Sequence, residues 1–428
     1  MVTPTFSVVI ATYDRGPLIE STLESVARQT VDNIEVLVVS DGPAAPGLAA
    51  AVSRFGNRFK LVECADRCGS QFAPNNHGWV IATGRFIAYL GHDDIWLPGH
   101  LAALLHAFEQ HPCADFAASG CIQFAPPGSG DGCAWVTGLF DPDDRCIALT
   151  HFFPPSSVAH RRDLPDDMRW PDASVVRRPV DSQFMFTAAQ RGCAFTSTGT
   201  VTVLKFNSAL RYLSYLSPDD VEQRDALALT LDLVALNETI KAALADAASS
   251  GNYMTALHPP ERDRQPGEVM RSHARVRGID TPPVELLDGP TWMPLGDDPR
   301  AHDWHGLERD GDRTWRWSGP NPRPRLLIPF THDGLVRVSL HIDAVATDDV
   351  RNSLQVLVDR RSAPTVVRTE PDTAQVVVEI ETVLRTDRPS VVELRMNRTV
   401  SAAEFAPGSN DARRLGVCLA GIHLEPIG

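Results

Sequence analysis

Over residues 6–124 the chain alternates between two hydrophobic periods, and nothing else in the sequence restricts its fold as much. Apolar, β-branched runs fall at 6–11, 34–39, 59–62 and 86–90. Segments with helical spacing follow them at 18–27, 48–55, 77–82 and 101–108. Near-continuous apolar runs suit strands buried on both faces, so the pattern predicts a parallel sheet with helices on both sides. A further strand is expected over 115–124, a helix over 181–190, and strands over 194–197 and 200–205. Leu227, Leu231, Leu236, Ile240 and Leu244 predict one amphipathic helix within 219–247.

The second half reads differently. Residues 131–170 break into Gly, Pro, Asp and His, the composition of loops. From about 248 to 295 the chain is rich in Pro, Asp and Arg and reads as a linker. Beyond it the period becomes two: Val336, Val338, Leu340 and Ile342 alternate with Arg337, Ser339 and His341. Leu354/Val356/Val358, Val376/Val378/Ile380 and Val392/Leu394/Met396 repeat the alternation. Short half-buried strands with no helical segment predict an antiparallel sandwich, with Trp304, Trp315 and Trp317 as its core anchors. The expected organisation is a catalytic domain over 1–215, a helical segment and linker over 216–284, and a β-sandwich over 285–428.

A formal charge of −14 argues against nucleic acid as a partner, because phosphate binding needs a surplus of Lys and Arg. An acidic protein can still hold phosphates when a divalent cation stands between. No stretch approaches the roughly 18 consecutive apolar residues of a membrane span, and the N-terminus enters a strand pattern at once. Of the eight cysteines only Cys64 and Cys68 lie close together, with no second pair to complete a zinc site. Reduced cysteines in a cytoplasmic protein are the expectation.

In an open parallel sheet, ligands bind beyond the carboxyl ends of the strands. After the first strand come Thr12, Tyr13 and Asp14, and after the second Asp41 and Gly42. Asp66 follows the third, and Gly91, His92, Asp93 and Asp94 follow the fourth. No GxGxxG follows the first strand, which argues against dinucleotide binding. Acids crowded at a phosphate site need a cation, and Asp93 and Asp94 are hard oxygen donors suited to Mg²⁺ or Mn²⁺. A diphosphate leaving group stabilised by a Lewis acid is the chemistry such a site serves.

FSVVIATYDRGPLIESTLESVARQTVDNIEVLVVSDG and NNHGWVIATGRFIAYLGHDDIWLP together resemble the family 2 glycosyltransferases of the GT-A fold, over roughly the first 215 residues. The resemblance implies the α/β fold of nucleotide-diphospho-sugar transferases, a mostly parallel sheet with helices on both faces. It implies that Ala11, Thr12 and Asp41 hold the nucleotide base, and that Asp93 and Asp94 hold ribose and metal. Asp14, Asp66 and the motif residue Asn76 complete the expected donor-binding set. Asp181, opening a helix, is the implied general base, and the alternative for it is an ordinary helix N-cap. Gly91 stands where the family often has an acid, and Asn75 where it often has Arg. Lys205 is the candidate for a late basic position. GLERDGDRTWRWSG and NDARRLGVCLAGIHLEP resemble a β-sandwich appended to many bacterial glycosyltransferases.

The implied reaction is inverting transfer from a nucleotide diphosphate sugar, a UDP-sugar foremost, to a hydroxyl of a saccharide or glycolipid acceptor. The implied setting is cell-surface polysaccharide assembly in the cytoplasm, with peripheral contact at the inner face of the membrane. Two rivals remain. A nucleotidyltransferase would need a glycine- and basic-rich loop after the first strand, where ATYDRGPLIE has one Gly and one Arg. A carbohydrate-binding protein with a decayed catalytic half would release no nucleotide diphosphate.

Overall fold

The computed structural model describes residues 3–13, 19–44, 47–124, 135–141, 144, 147–208, 211, 214, 220–253, 264–277, 286–295, 303–319, 322–359, 361–362, 364–369, 375–384, 389–406, 408–409, 411 and 413–427. The chain divides into two compact units, Met1–Arg277 and Gly278–Gly428.

The first unit is a mixed sheet. Its strands are β1 (Phe6–Thr12), β2 (Ile34–Ser40), β3 (Phe59–Glu63), β4 (Phe86–Tyr89), β5 (Ile95–Trp96), β6 (Phe116–Gln123), β7 (Trp135–Thr137), β8 (Val158–Arg161) and β9 (Phe195–Lys205). They lie in the order β3-β2-β1-β4-β8-β6-β9-β5, with β7 beside β6. β3, β2, β1 and β4 run parallel, and β6 and β9 are parallel to each other. β8 is antiparallel to both of its neighbours, β4 and β6. The helices are α1 (Glu20–Ala27), α2 (Leu48–Ser53), α3 (Phe72–Ile81), α4 (His100–Gln110), α5 (Val180–Gln190), α6 (Val221–Leu229), α7 (Leu233–Ser249) and α8 (Glu268–Arg277).

The unbroken apolar runs have a simple cause, since each strand feeds two cores. Phe6, Val8, Ile10, Val36 and Val38 pack on one face with Leu23, Val52 and Leu104 from α1, α2 and α4. Val9, Leu37 and Val39 face the other way, toward Trp79 of α3 and Phe184 of α5. Gly78 lets α3 approach the sheet closely, because a β-carbon there would lie 2.5 Å from Val9 Cγ1. Helix α3 begins five residues before the expected start at residue 77. Pro74 sits in its first turn, where a missing N–H costs nothing.

Three expectations need correction. The single helix expected over 219–247 is two, because the first stops at Leu229 and Asp232 caps the next, its carboxylate accepting from Val234 N and Ala235 N. The two strands expected over 194–205 are one, β9, whose register against β6 shifts between Ala118 and Gly120 and again before Cys121. Helix α8 forms within the stretch whose composition reads as linker. No helix among the described residues is long and apolar enough to cross a membrane.

The second unit is a β-sandwich. Leu335–Val345 pairs antiparallel with Val376–Val383 and with Val417–Ile427. Arg325–Ile328, Ser390–Arg395 and Gln355–Val358 form a second antiparallel sheet. Val336, Val338, Leu340 and Ile342 from the first sheet share one core with Ile328, Val356, Val392 and Leu394 from the second. Trp304 and Trp317 are buried in that core, with Trp315 packed against it. Short helices at Asp348–Ser353 and Ala402–Phe405 interrupt the strands.

Candidate active site

The parallel strands end together, and their last residues are tied across the sheet. Asp41 N donates to Thr12 O at 2.9 Å, and Cys64 N to Ser40 O at 3.0 Å. Thr12 is 2% exposed, and its Oγ1 has no hydrogen-bond partner among the described residues. An unpaired buried hydroxyl is costly, so this one is suited to a ligand. Asp41 is nearly buried, and its oxygens accept from Cys68 N and Gly69 N, both at 2.8 Å. These bonds fix the loop after β3 against the end of β2. A carboxylate has lone pairs for a further donor on each oxygen. Burial and the same carboxylate push the Cys68 thiol up to about 12, so this cysteine stays protonated. In that loop the Arg67 guanidinium lies 3.8 Å from the centre of the Tyr13 ring.

Beyond β4 the chain makes a tight turn, Gly91–His92–Asp93–Asp94, before entering β5. Asp94 N donates to Gly91 O at 3.1 Å. Thr22 Oγ1 of α1 lies 3.0 Å from both His92 O and Asp94 O, and Gln223 of α6 donates to Asp93 O at 3.1 Å. His92 Nδ1 is 3.2 Å from Ala11 O, which joins the turn to the end of β1. Three elements thus brace one turn.

Asp94 is fully buried. Its Oδ2 accepts from Ser156 Oγ at 2.5 Å and from Lys205 Nζ at 2.9 Å, and its Oδ1 from Phe206 N at 3.0 Å. Burial pushes the Asp94 carboxyl up from the usual range, and the Lys205 ammonium opposes that shift. Burial works against the ammonium too, but Asp94 and Asp93 outweigh it and hold Lys205 above the ordinary lysine range. Lys205 Nζ is thus the salt-bridge partner of Asp94 in this structure.

Hard carboxylate oxygens suit Mg²⁺ or Mn²⁺, and a site already holding an ammonium on Asp94 is chemically fit for a cation. In this structure lysine, hydroxyl and main-chain N–H engage Asp94. No cluster of three or more His, Cys, Asp or Glu side chains poised for a metal occurs among the described residues.

The other expected site residues divide. Ala11, Thr12, Asp41, Asp93 and Asp94 come together at the strand ends. Asp66 is exposed in the loop after β3. Asp14 lies outside the described residues. Asn76 is occupied elsewhere. Its Nδ2 donates to Trp170 O and its Oδ1 accepts from Trp170 N, both at 2.9 Å, fastening α3 to the 170 region. Asp181 is the second residue of α5 rather than its N-cap, which is Pro179. Its Oδ1 accepts from Ser182 N at 2.8 Å. His160 is fully buried, its Nε2 at 2.9 Å from Tyr89 Oη and its ring pushed down to about 4 by burial. Sequence reasoning missed Ser156, Thr22 and Gln223 altogether.

A mixed sheet with helices on both faces and a braced acidic turn at the strand ends is a GT-A-like arrangement. Residues 7–126 match the family model described as glycosyl transferase family 2. It is 36% identical over 107 residues to a putative glycosyltransferase, EpsH, of Bacillus subtilis (strain 168), covering 24% of this chain and 30% of that protein. It is 27% identical over 103 residues to WfaP of Escherichia coli, named a UDP-Glc:alpha-D-GlcNAc-diphosphoundecaprenol beta-1,3-glucosyltransferase, covering 24% of this chain and 41% of that one. The chain thus spans less than half the length of both relatives. Among solved structures, residues 1–349 of S. aureus TarS in complex with UDP-GlcNAc superpose with a TM-score of 0.41 at 18% identity, covering 53% of this chain and 66% of that one.

Proposed function

We propose that the chain transfers a sugar, with inversion, from a nucleotide diphosphate sugar to an acceptor hydroxyl. A UDP-sugar is the donor of choice, and a saccharide or lipid-linked saccharide of cell-surface polysaccharide assembly is the acceptor. The observation that carries this reading is the braced Asp93–Asp94 turn beside Thr12 and Asp41 at the strand ends. The family match over the same residues supports it, as does the activity for which the WfaP relative is named.

In this reading Asp41 and the Thr12 hydroxyl, unpartnered among the described residues, receive the base, and Asp93 the ribose. Asp93 and Asp94 would hold a Mg²⁺ or Mn²⁺ ion, which when bound supplies Lewis-acid stabilisation of the diphosphate. Asp181 accepts the proton of the attacking hydroxyl, its other oxygen steadied by Ser182 N. The test is release of nucleotide diphosphate by the full chain from UDP-glucose, UDP-GlcNAc and GDP-mannose, with and without a lipid-linked sugar acceptor. At least one donor should give acceptor-stimulated release. No release above buffer from any donor would reject the transferase reading.

A further inference from the structure

The cation on Asp94 in this structure is a lysine. Lys205 Nζ lies 2.9 Å from Oδ2 in a pair where the carboxylate is fully buried and the lysine side chain is 16% exposed. A divalent ion on Asp94 would meet that ammonium, and two cations on one carboxylate oxygen repel each other at close range. Expelling Lys205 alone would strand a nearly buried charge, which proteins rarely tolerate. The exchange becomes favourable when an anion arrives to receive the lysine. Asp94 is the one hydrogen-bonding partner of Lys205 Nζ among the described residues, so the ammonium has donors for such an anion. Ser156 Oγ and Phe206 N keep Asp94 in place when the lysine leaves.

We propose that Lys205 is a lock on the cation site: it excludes a divalent ion from Asp94 until the diphosphate of a donor draws the lysine away. Metal and donor then bind as a coupled pair, each tightening the other by the same factor. This rests on the donor reading given above, and it assigns Lys205 a positioning role.

The test is Mn²⁺ binding, read from the electron paramagnetic resonance signal of free Mn²⁺, on the full chain with and without UDP. Wild type should bind Mn²⁺ weakly alone and roughly 10- to 100-fold more tightly with UDP. Lys205→Met should bind Mn²⁺ without UDP more tightly than wild type, and the enhancement by UDP should shrink by the part the lysine contributes, leaving that of direct diphosphate contact with the metal. Equal Mn²⁺ affinity of wild type with and without UDP overturns the lock, and this arm needs no variant to fold. Unchanged coupling in Lys205→Met overturns it as well, as expected of a merely structural ion pair. Thermal shifts with UDP in EDTA separate the two levels. No Mn²⁺ binding under any condition, with UDP still raising Tm, rejects the lock and leaves the transferase reading standing. No response to either ligand rejects both.

Discussion

A β-carbon built on Gly91 falls 2.7 Å from Asp94 Oδ2 and 3.3 Å from Asp93 Oδ1. Oδ2 cannot easily retreat, because Ser156 and Lys205 hold it. A glycine at position 91 is therefore what this Asp94 geometry requires. Gly91→Ala should destabilise the chain by about 1–3 kcal/mol through overpacking, measured by denaturant unfolding. Parental stability would mean the carboxylate moves freely. For Asp181, the structure removes the simple capping role, since Pro179 is the N-cap and no side chain caps the helix. Asp181→Asn should keep donor binding and Tm, yet transfer sugar ~10² to 10⁴ more slowly; near-parental transfer would send the search for the base to other acids. Paired acids at 93–94 were legible because they are adjacent and follow a strand. Their partnership was not: Ser156 and Lys205 stand 62 and 111 residues from Asp94, and the sequence makes Lys205 a candidate for a late basic position rather than for this pair. Only the folding of β8 and β9 into the sheet brings them near, and no local pattern marks a serine or a lysine for that place.

Among the elements, the buried strands of the first unit were the plainest in the sequence, because burial on both faces demands apolar residues at nearly every position. Helix ends were harder to read. Asp232 sits within an unbroken helical period, and only its side-chain bonds to Val234 N and Ala235 N show that one helix stops and another starts. Asp232→Ala should cost about 1 kcal/mol, seen as a lower unfolding midpoint. The first two strands are also tied at their starting ends. Glu35 Oε1 accepts from Ser7 Oγ at 2.6 Å and from Thr83 N and Oγ1 at 2.7 Å. Burial pushes the Glu35 carboxyl up, but Ser7, Thr83 and Lys60 outweigh it and hold it below the ordinary glutamate value of 4.5. A depressed native pKa means the stabilisation is fully present above the unfolded value and fades as pH falls through the native one. Unfolding followed from about pH 6 to about pH 3 should show a shallower acid loss in Glu35→Gln than in wild type. Parallel curves would remove Glu35 from the acid response.

At the scale of the whole molecule, the boundary between Arg277 and Gly278 cuts no strand pairing among the described residues. The second unit closes on itself: Thr291–Pro294, near its start, pairs with Val417–Ile427 at its end. Its core draws only on its own residues, from Leu295 to Leu424. The three cores of the first unit likewise end at or before Ala247, with Met270 of α8 packed against one of them. A unit with its own core and its own sheet can fold alone, provided it buries enough apolar surface, and both units exceed the size below which small domains fail. A fragment of residues 1–277 should therefore unfold cooperatively and keep its response to UDP and Mn²⁺. A fragment of 278–428 should unfold in one transition and ignore both ligands. In the full chain, UDP should raise only the melting transition that belongs to the first fragment, because a ligand stabilises only the unit that binds it. Calorimetry of the three proteins decides the matter. If both transitions of the full chain rise together with UDP, or if the 1–277 fragment aggregates while the full chain does not, the second unit is part of the catalytic fold.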